Sequence, residues 1–180
     1  MLVKLDVDFG GVNFPLPYKK PDKLYVGFSA VFSGCKRAMA GSPCPDCQNP
    51  SLWQGLDWNG DGHEWIESFV RKKYRLLQEI NPEIEFFYCV LGGEPLDQSL
   101  AELEVAQDAV MAGCGQRIPT VLYTGYSDVP VQMLGYVAER VNYLKTGAYL
   151  GNNYKRTGLS SGLATENQRW IKIESTYKPN

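Results

Sequence analysis

The sequence predicts an α/β protein built on a mostly parallel sheet, and two observations carry that prediction. Apolar runs of strand length alternate with stretches of helical periodicity, and the central runs are apolar throughout rather than alternating. A strand covered on both faces has no polar face to show, which is the mark of βαβ units in a parallel sheet or partial barrel. Loops at the carboxyl ends of such strands are where sites are built.

The elements follow in order. Residues 1–9 alternate apolar and charged side chains as a short strand, and Gly10-Gly11 with Pro15, Pro17 and Pro21 then predict an irregular N-terminal extension over 1–23. Leu24 to Phe32 is the first buried strand, rich in aromatic and branched residues and ending at Ser33-Gly34. A cysteine loop follows, then a turn-rich connection over 50–62. From Glu64, the residues Trp65, Ile66, Phe69, Val70, Leu76, Leu77 and Ile80 recur at helical spacing until Asn81-Pro82. Ile84 to Leu91 is a second buried strand, ending in Gly92-Gly93-Glu94-Pro95. Ser99 and Glu102 form a capping box that opens a helix closed at Gly113. A strand over Pro119 to Tyr123, a turn at Thr124-Gly125-Tyr126, a helix over Val129 to Glu139 and a short strand over Val141 to Leu144 continue the alternation. The tail, 148–180, is irregular apart from a last strand at Trp170 to Ile173. The whole of 1–180 reads as one domain, since 180 residues suffice for a single sizeable core.

Composition narrows the function classes. An apolar share of 44% and a charged share of 21% are those of a globular chain, and a net charge of -2 offers no basic face for nucleic acid. The charged positions among the first nine residues are unlike a signal peptide, and no run approaches the roughly 18 apolar residues of a membrane span. The expected location is the cytoplasm, where clustered cysteines are more often metal-binding or catalytic than disulfide-bonded. An odd cysteine count of five points the same way.

Cys35, Cys44 and Cys47 stand in one loop with the spacing Cys-x8-Cys-x2-Cys. Soft thiolates select zinc, copper(I) or iron-sulfur clusters. A structural zinc site normally closes with four ligands, whereas three leave an open position for chemistry. His63, the single histidine, would complete a zinc site, although a surface histidine in a glycine-rich turn is the simpler reading. Cys44 and Cys47 as a redox dithiol lack the helix that such a motif opens. Asn59 to Gly62 resembles a calcium loop only faintly, with its carboxylates out of register. Spacing alone leaves zinc and a cluster with one open iron level. Cys89, inside a strand, and Cys114, at a helix end, read as small packing residues.

The Gly92-Gly93-Glu94 turn tips that balance. Glycines allow close backbone approach, and the carboxylate is an acceptor for an amine. Placed one βα unit after a three-cysteine loop, the turn becomes specific. The chain here resembles the radical S-adenosylmethionine enzymes, and within them the activating proteins of anaerobic ribonucleotide reductase. The resemblance runs from about Tyr25 to Arg169 and rests on six segments in order. These are Phe32-Ser-Gly-Cys35, Cys47-Gln-Asn49-Pro-Ser-Leu-Trp53, Leu91-Gly-Gly-Glu-Pro95, Tyr123-Thr-Gly-Tyr126, Leu144-Lys-Thr-Gly147 and Asn167-Gln-Arg169. The chain differs from the family pattern in its first cysteine gap, which is five residues longer, in Asp46 where an aromatic residue is common, and in lacking a Gly-x-Gly-x-Arg segment before the strand.

The resemblance implies an open partial (β/α) barrel of the radical S-adenosylmethionine type. It implies a 4Fe-4S cluster on Cys35, Cys44 and Cys47, with S-adenosyl-L-methionine bound at Gly92, Gly93 and Glu94 and its adenosine near Tyr123 and Thr124. Reductive cleavage would give a 5′-deoxyadenosyl radical that takes hydrogen from a glycine of the reductase large subunit. A flavodoxin- or ferredoxin-like protein would donate the electron. Lys145, Asn167, Gln168 and Arg169 are candidates for a docking surface. The alternatives are a relative acting on a small molecule or on another glycyl radical enzyme, and a zinc-binding interaction module without a reaction.

Overall fold

A computed structural model describes residues 2–47, 49–55, 63–151 and 163–174. Six strands form one open sheet in chain order: β1 (Leu2–Phe9), β2 (Tyr25–Phe32), β3 (Glu85–Gly92), β4 (Thr120–Tyr123), β5 (Tyr143–Thr146) and β6 (Arg169–Lys172). The inner pairs β2-β3, β3-β4 and β4-β5 are parallel, while β1 and β6 run antiparallel on the two edges. The mostly parallel α/β class is therefore observed, with antiparallel edges. Antiparallel pairing explains why β1 alternates apolar and charged residues while β2 and β3 do not.

The helices α2 (His63–Ile80), α3 (Leu100–Cys114) and α4 (Leu134–Arg140) cover one face of the sheet. Alternate strand residues meet them there: Val26, Phe28, Ala30 and Phe32 of β2, Phe86, Tyr88 and Val90 of β3, Leu122 of β4 and Leu144 of β5. The intervening residues form the opposite face, which the N-terminal extension covers. Phe14, 5% exposed, stacks on Tyr25 with ring centres 4.4 Å apart and meets Phe87 and Tyr143 edge-on. Gly27 is the gap into which the Phe87 ring fits, since a Cβ there would lie 2.4 Å from that ring. The prolines leave residues 10–23 without strand or α-helix, but the segment packs as an apolar strap across the early residues of the strands.

Several boundaries differ from expectation for identifiable reasons. Helix α3 does not close at Gly113, because that residue lies inside it and abuts α2, where a Cβ would fall 2.7 Å from the Cβ of Val70. Gly115, with φ 68°, is the left-handed cap instead. The capping box of Ser99 and Glu102 forms as expected. The helix expected over 129–139 begins as a 3-10 turn over Val131–Met133 after Pro130, and β5 starts at Tyr143 because Val141 still caps α4.

Candidate functional site

The cysteine loop leaves the end of β2 and returns beside it. Gly34 donates its N–H to Leu52 O at 2.8 Å and Cys35 donates to Trp53 O at 3.0 Å, so the base of the loop is zipped by two backbone hydrogen bonds. The Gly-Gly-Glu turn grips that base. Gly93 N–H meets Phe32 O at 2.8 Å, Glu94 N–H meets Gly34 O at 3.0 Å, and Gln98 Nε2 reaches Gly34 O at 3.3 Å. Both glycines are required by this approach. A Cβ on Gly92 would lie 2.2 Å from Phe32 O, and one on Gly93 would lie 2.7 Å from Gly34 O and 2.8 Å from Leu52 O. The chain itself packs closely on both glycines, at the base of the cysteine loop.

The long first cysteine gap holds a helical turn, α1 (Lys36–Met39), rather than open loop. Gly41 N–H bonds Ala38 O and Ser42 N–H bonds Arg37 O, with Gly41 at φ 80°, which is the Schellman termination of a helix. The chain then turns at Asp46, the one described non-glycine residue at positive φ, 50°. Aspartate tolerates this conformation better than a bulky aromatic residue, which accounts physically for its place there. The turn packs on Gly151, beyond β5.

All three loop cysteines are free and partly exposed. Burial pushes the Cys35 thiol up, the Ala38 and Arg37 N–H groups oppose that, and the charges of Glu94 and Asp97 add to the rise. Cys47 Sγ accepts a hydrogen bond from Trp53 Nε1 at 3.3 Å. Cys44 lies close enough to Lys145 for its charge to act on that ammonium. The donor chemistry fits a soft metal or an iron-sulfur cluster. Among the described residues, however, no three His, Cys, Asp or Glu side chains converge on one point.

Glu94 is the hub of the strand ends. It is 6% exposed and accepts from Thr124 Oγ1 at 2.7 Å, Leu96 N at 3.1 Å and Gly125 N at 2.8 Å. Burial raises its carboxyl above the ordinary range, and the three donors oppose that rise. Thr124 is buried in this bond. Tyr123 turns the other way: its ring lies 5.4 Å from that of Trp170 and its hydroxyl donates to Asn13 O at 3.1 Å.

Lys145, one of the docking candidates, is part-buried, and its surroundings follow from the pleat. Position 145 shares its face with Tyr143 and Tyr123, so its ammonium lies 5.9 Å from the Tyr123 ring and 3.4 Å from Gly147 O. Burial depresses it to about 8, while Glu94 and Cys44 favour its charge. Gln168 is also buried, its Oε1 accepting from Ala164 and Thr165 N–H and its Nε2 donating to Gly147 O. Asn167 holds Ala148 O at 2.8 Å. These two residues staple the segment after β5 to the segment before β6. Arg169 is exposed and reaches Thr146 and Ser127, each at 3.4 Å.

Two participants were not apparent from sequence, Asp97 and Tyr126. Asp97 Oδ2 accepts from Lys36 N at 2.6 Å and its Oδ1 accepts from the Tyr126 hydroxyl at 2.7 Å. The available signal is the short 3-10 turn Pro95–Asp97, in which residues three apart lie on one side, setting Asp97 beside Glu94.

His63 opens α2 and faces Glu67 at 3.8 Å, while residues 59–62 lie outside the described residues. Cys89 and Cys114 are buried as expected. A cleft of about 240 Å³ at the opposite end of the strands, lined by Gln107, Thr120 and Arg140 among others, contains none of the predicted site residues. No helix among the described residues is long and apolar enough to cross a membrane. Neither a family model, nor a curated protein, nor a solved structure matches the chain.

Proposed function

We propose that the chain is a radical S-adenosylmethionine enzyme that activates the large subunit of an anaerobic ribonucleotide reductase by leaving a glycyl radical on it. The observation that carries this reading is the seating of the cysteine loop on Gly92-Gly93-Glu94, by Glu94 N–H on Gly34 O and by the contact of Gly93 with both sides of the loop base. Two motifs far apart in sequence thereby become one end-of-strand site. When bound, the cluster would supply the electron for reductive cleavage of S-adenosylmethionine.

The chain's own residues have separable parts. Cys35, Cys44 and Cys47 would hold the cluster. The Glu94 carboxylate has about four acceptor positions, of which the described residues fill three, and the remaining one would take the methionyl ammonium. Lys145 offers a cation for the carboxylate of the same ligand, and Tyr123 and Thr124 flank the adenosine side. The open sheet acts as a partial barrel, and the side it leaves open admits a protein loop. A flavodoxin- or ferredoxin-like donor would supply electrons.

Anaerobic reconstitution with iron and sulfide tests the reading. About four irons per chain and broad visible absorption are expected. Cys35→Ala, Cys44→Ala and Cys47→Ala should each abolish reductive cleavage of S-adenosylmethionine, while Cys89→Ala and Cys114→Ala should retain it. A colourless protein with one zinc overturns the assignment and favours an interaction module.

A further inference from the structure

We propose that Asp97, braced by Tyr126, is a positioning residue that fixes the backbone at Cys35 and so sets how that thiol is presented. Helix α1 begins at Lys36, and its first N–H groups have no partner inside the helix. Cys35, the N-cap residue, leaves the Lys36 N–H unmet, its sulfur lying toward the N–H groups of Ala38 and Arg37 instead. The Lys36 N–H is satisfied from another strand end, by Asp97 Oδ2 at 2.6 Å. The other oxygen of Asp97 is fixed by the Tyr126 hydroxyl at 2.7 Å, and Tyr126 in turn follows β4.

Cys35 is therefore bracketed. On its N-terminal side, Gly34 O is held by Glu94 N–H and Gln98 Nε2, and on its C-terminal side Lys36 N–H is held by Asp97. Its own N–H goes to Trp53 O. Among the described residues Asp97 bonds Lys36 and Tyr126 and neither Cys44 nor Cys47, so the brace acts on one thiol of the three. The ladder Glu94-Thr124 and Asp97-Tyr126 joins the same two strand ends, which lets the segment after β4 report on the first cysteine.

The proposal rests on the reading above only for what Cys35 finally holds; the brace is a property of the metal-free chain and is tested there. Two readouts serve: amide hydrogen exchange at Lys36 by NMR, and iodoacetamide alkylation of each cysteine at one fixed pH. Asp97→Ala should speed Lys36 exchange by about tenfold or more, and Cys35 alkylation several-fold, with Cys44 and Cys47 unchanged. Asp97→Asn should restore both, because the amide oxygen accepts from Lys36 N–H while the amide N–H donates to the Tyr126 oxygen. Tyr126→Phe should fall between. Equal rates in Asp97→Ala and wild type, parallel acceleration of all three thiols, or an Asp97→Asn protein behaving like Asp97→Ala would each overturn positioning, the last by making it a charge effect. If Asp97→Ala does not fold, Tyr126→Phe decides, and unchanged Lys36 exchange in it overturns the brace. Failure of the wild-type chain to take up iron would instead sink the enzymatic reading and leave these rates untouched.

Discussion

Thr124 donates its hydroxyl to Glu94 Oε1 at 2.7 Å, joining the ends of β4 and β3 through two buried side chains thirty residues apart. With Gly125 and Leu96, it gives the nearly buried carboxylate three donors.

Removing that acceptor leaves the donors stranded. Glu94→Ala is expected to cost about 3 kcal/mol of stability, since an unsatisfied buried polar group costs roughly 1–3 kcal/mol, and Thr124→Val about 1–2 kcal/mol. Urea unfolding checks both: the midpoint should fall with the slope unchanged. A Glu94→Ala protein as stable as wild type would show that the carboxylate is not held as described.

Lys145 gives the chain a pH signature on the alkaline side. Burial holds its ammonium near 8, below the ordinary 10.5, so the unfolded chain binds more protons between those values. Stability attached to this group is complete above 10.5 and is lost as pH falls through about 8. Metal-free wild-type protein should therefore gain stability from pH 8 to 10 relative to Lys145→Met. The difference between the two proteins should be largest at pH 7, where the folded chain carries the full cost of the buried ammonium. A constant difference between the two proteins across that range would place Lys145 in water.

Much of this site was legible because short-range chemistry decided it. The Ser99 and Glu102 capping box lies within one turn, and the unbroken run around Phe86, Tyr88 and Val90 states that the strand is covered on both faces. Other features depended on partners far away in sequence. Gly113 and Gly115 look equally like helix stops, and the contact of Gly113 with Val70 of another helix is what separates them. The Asp97-Tyr126 bond joins residues 29 apart, and neither belongs to a local pattern that demands the other.

Gly93 offers the sharpest steric test of the loop seat. A methyl group there meets two carbonyl oxygens, Gly34 O at 2.7 Å and Leu52 O at 2.8 Å, and neither is the free end of a flexible side chain. Gly93 has no left-handed φ, so the cost of Gly93→Ala comes from contact alone. The substitution should part the base of the cysteine loop from the end of β3, with a loss of about 1–3 kcal/mol in the range found for overpacked sites. Gly10→Ala is the matched comparison: φ is 86°, but a Cβ meets nothing within 4 Å. Its cost should be conformational only, about 1–2 kcal/mol, and should not touch the loop. Lys36 and Gly34 amide exchange distinguishes the two proteins, because Gly93→Ala should accelerate both and Gly10→Ala neither. Unchanged exchange at Gly34 in Gly93→Ala would mean that the loop is not seated on this glycine.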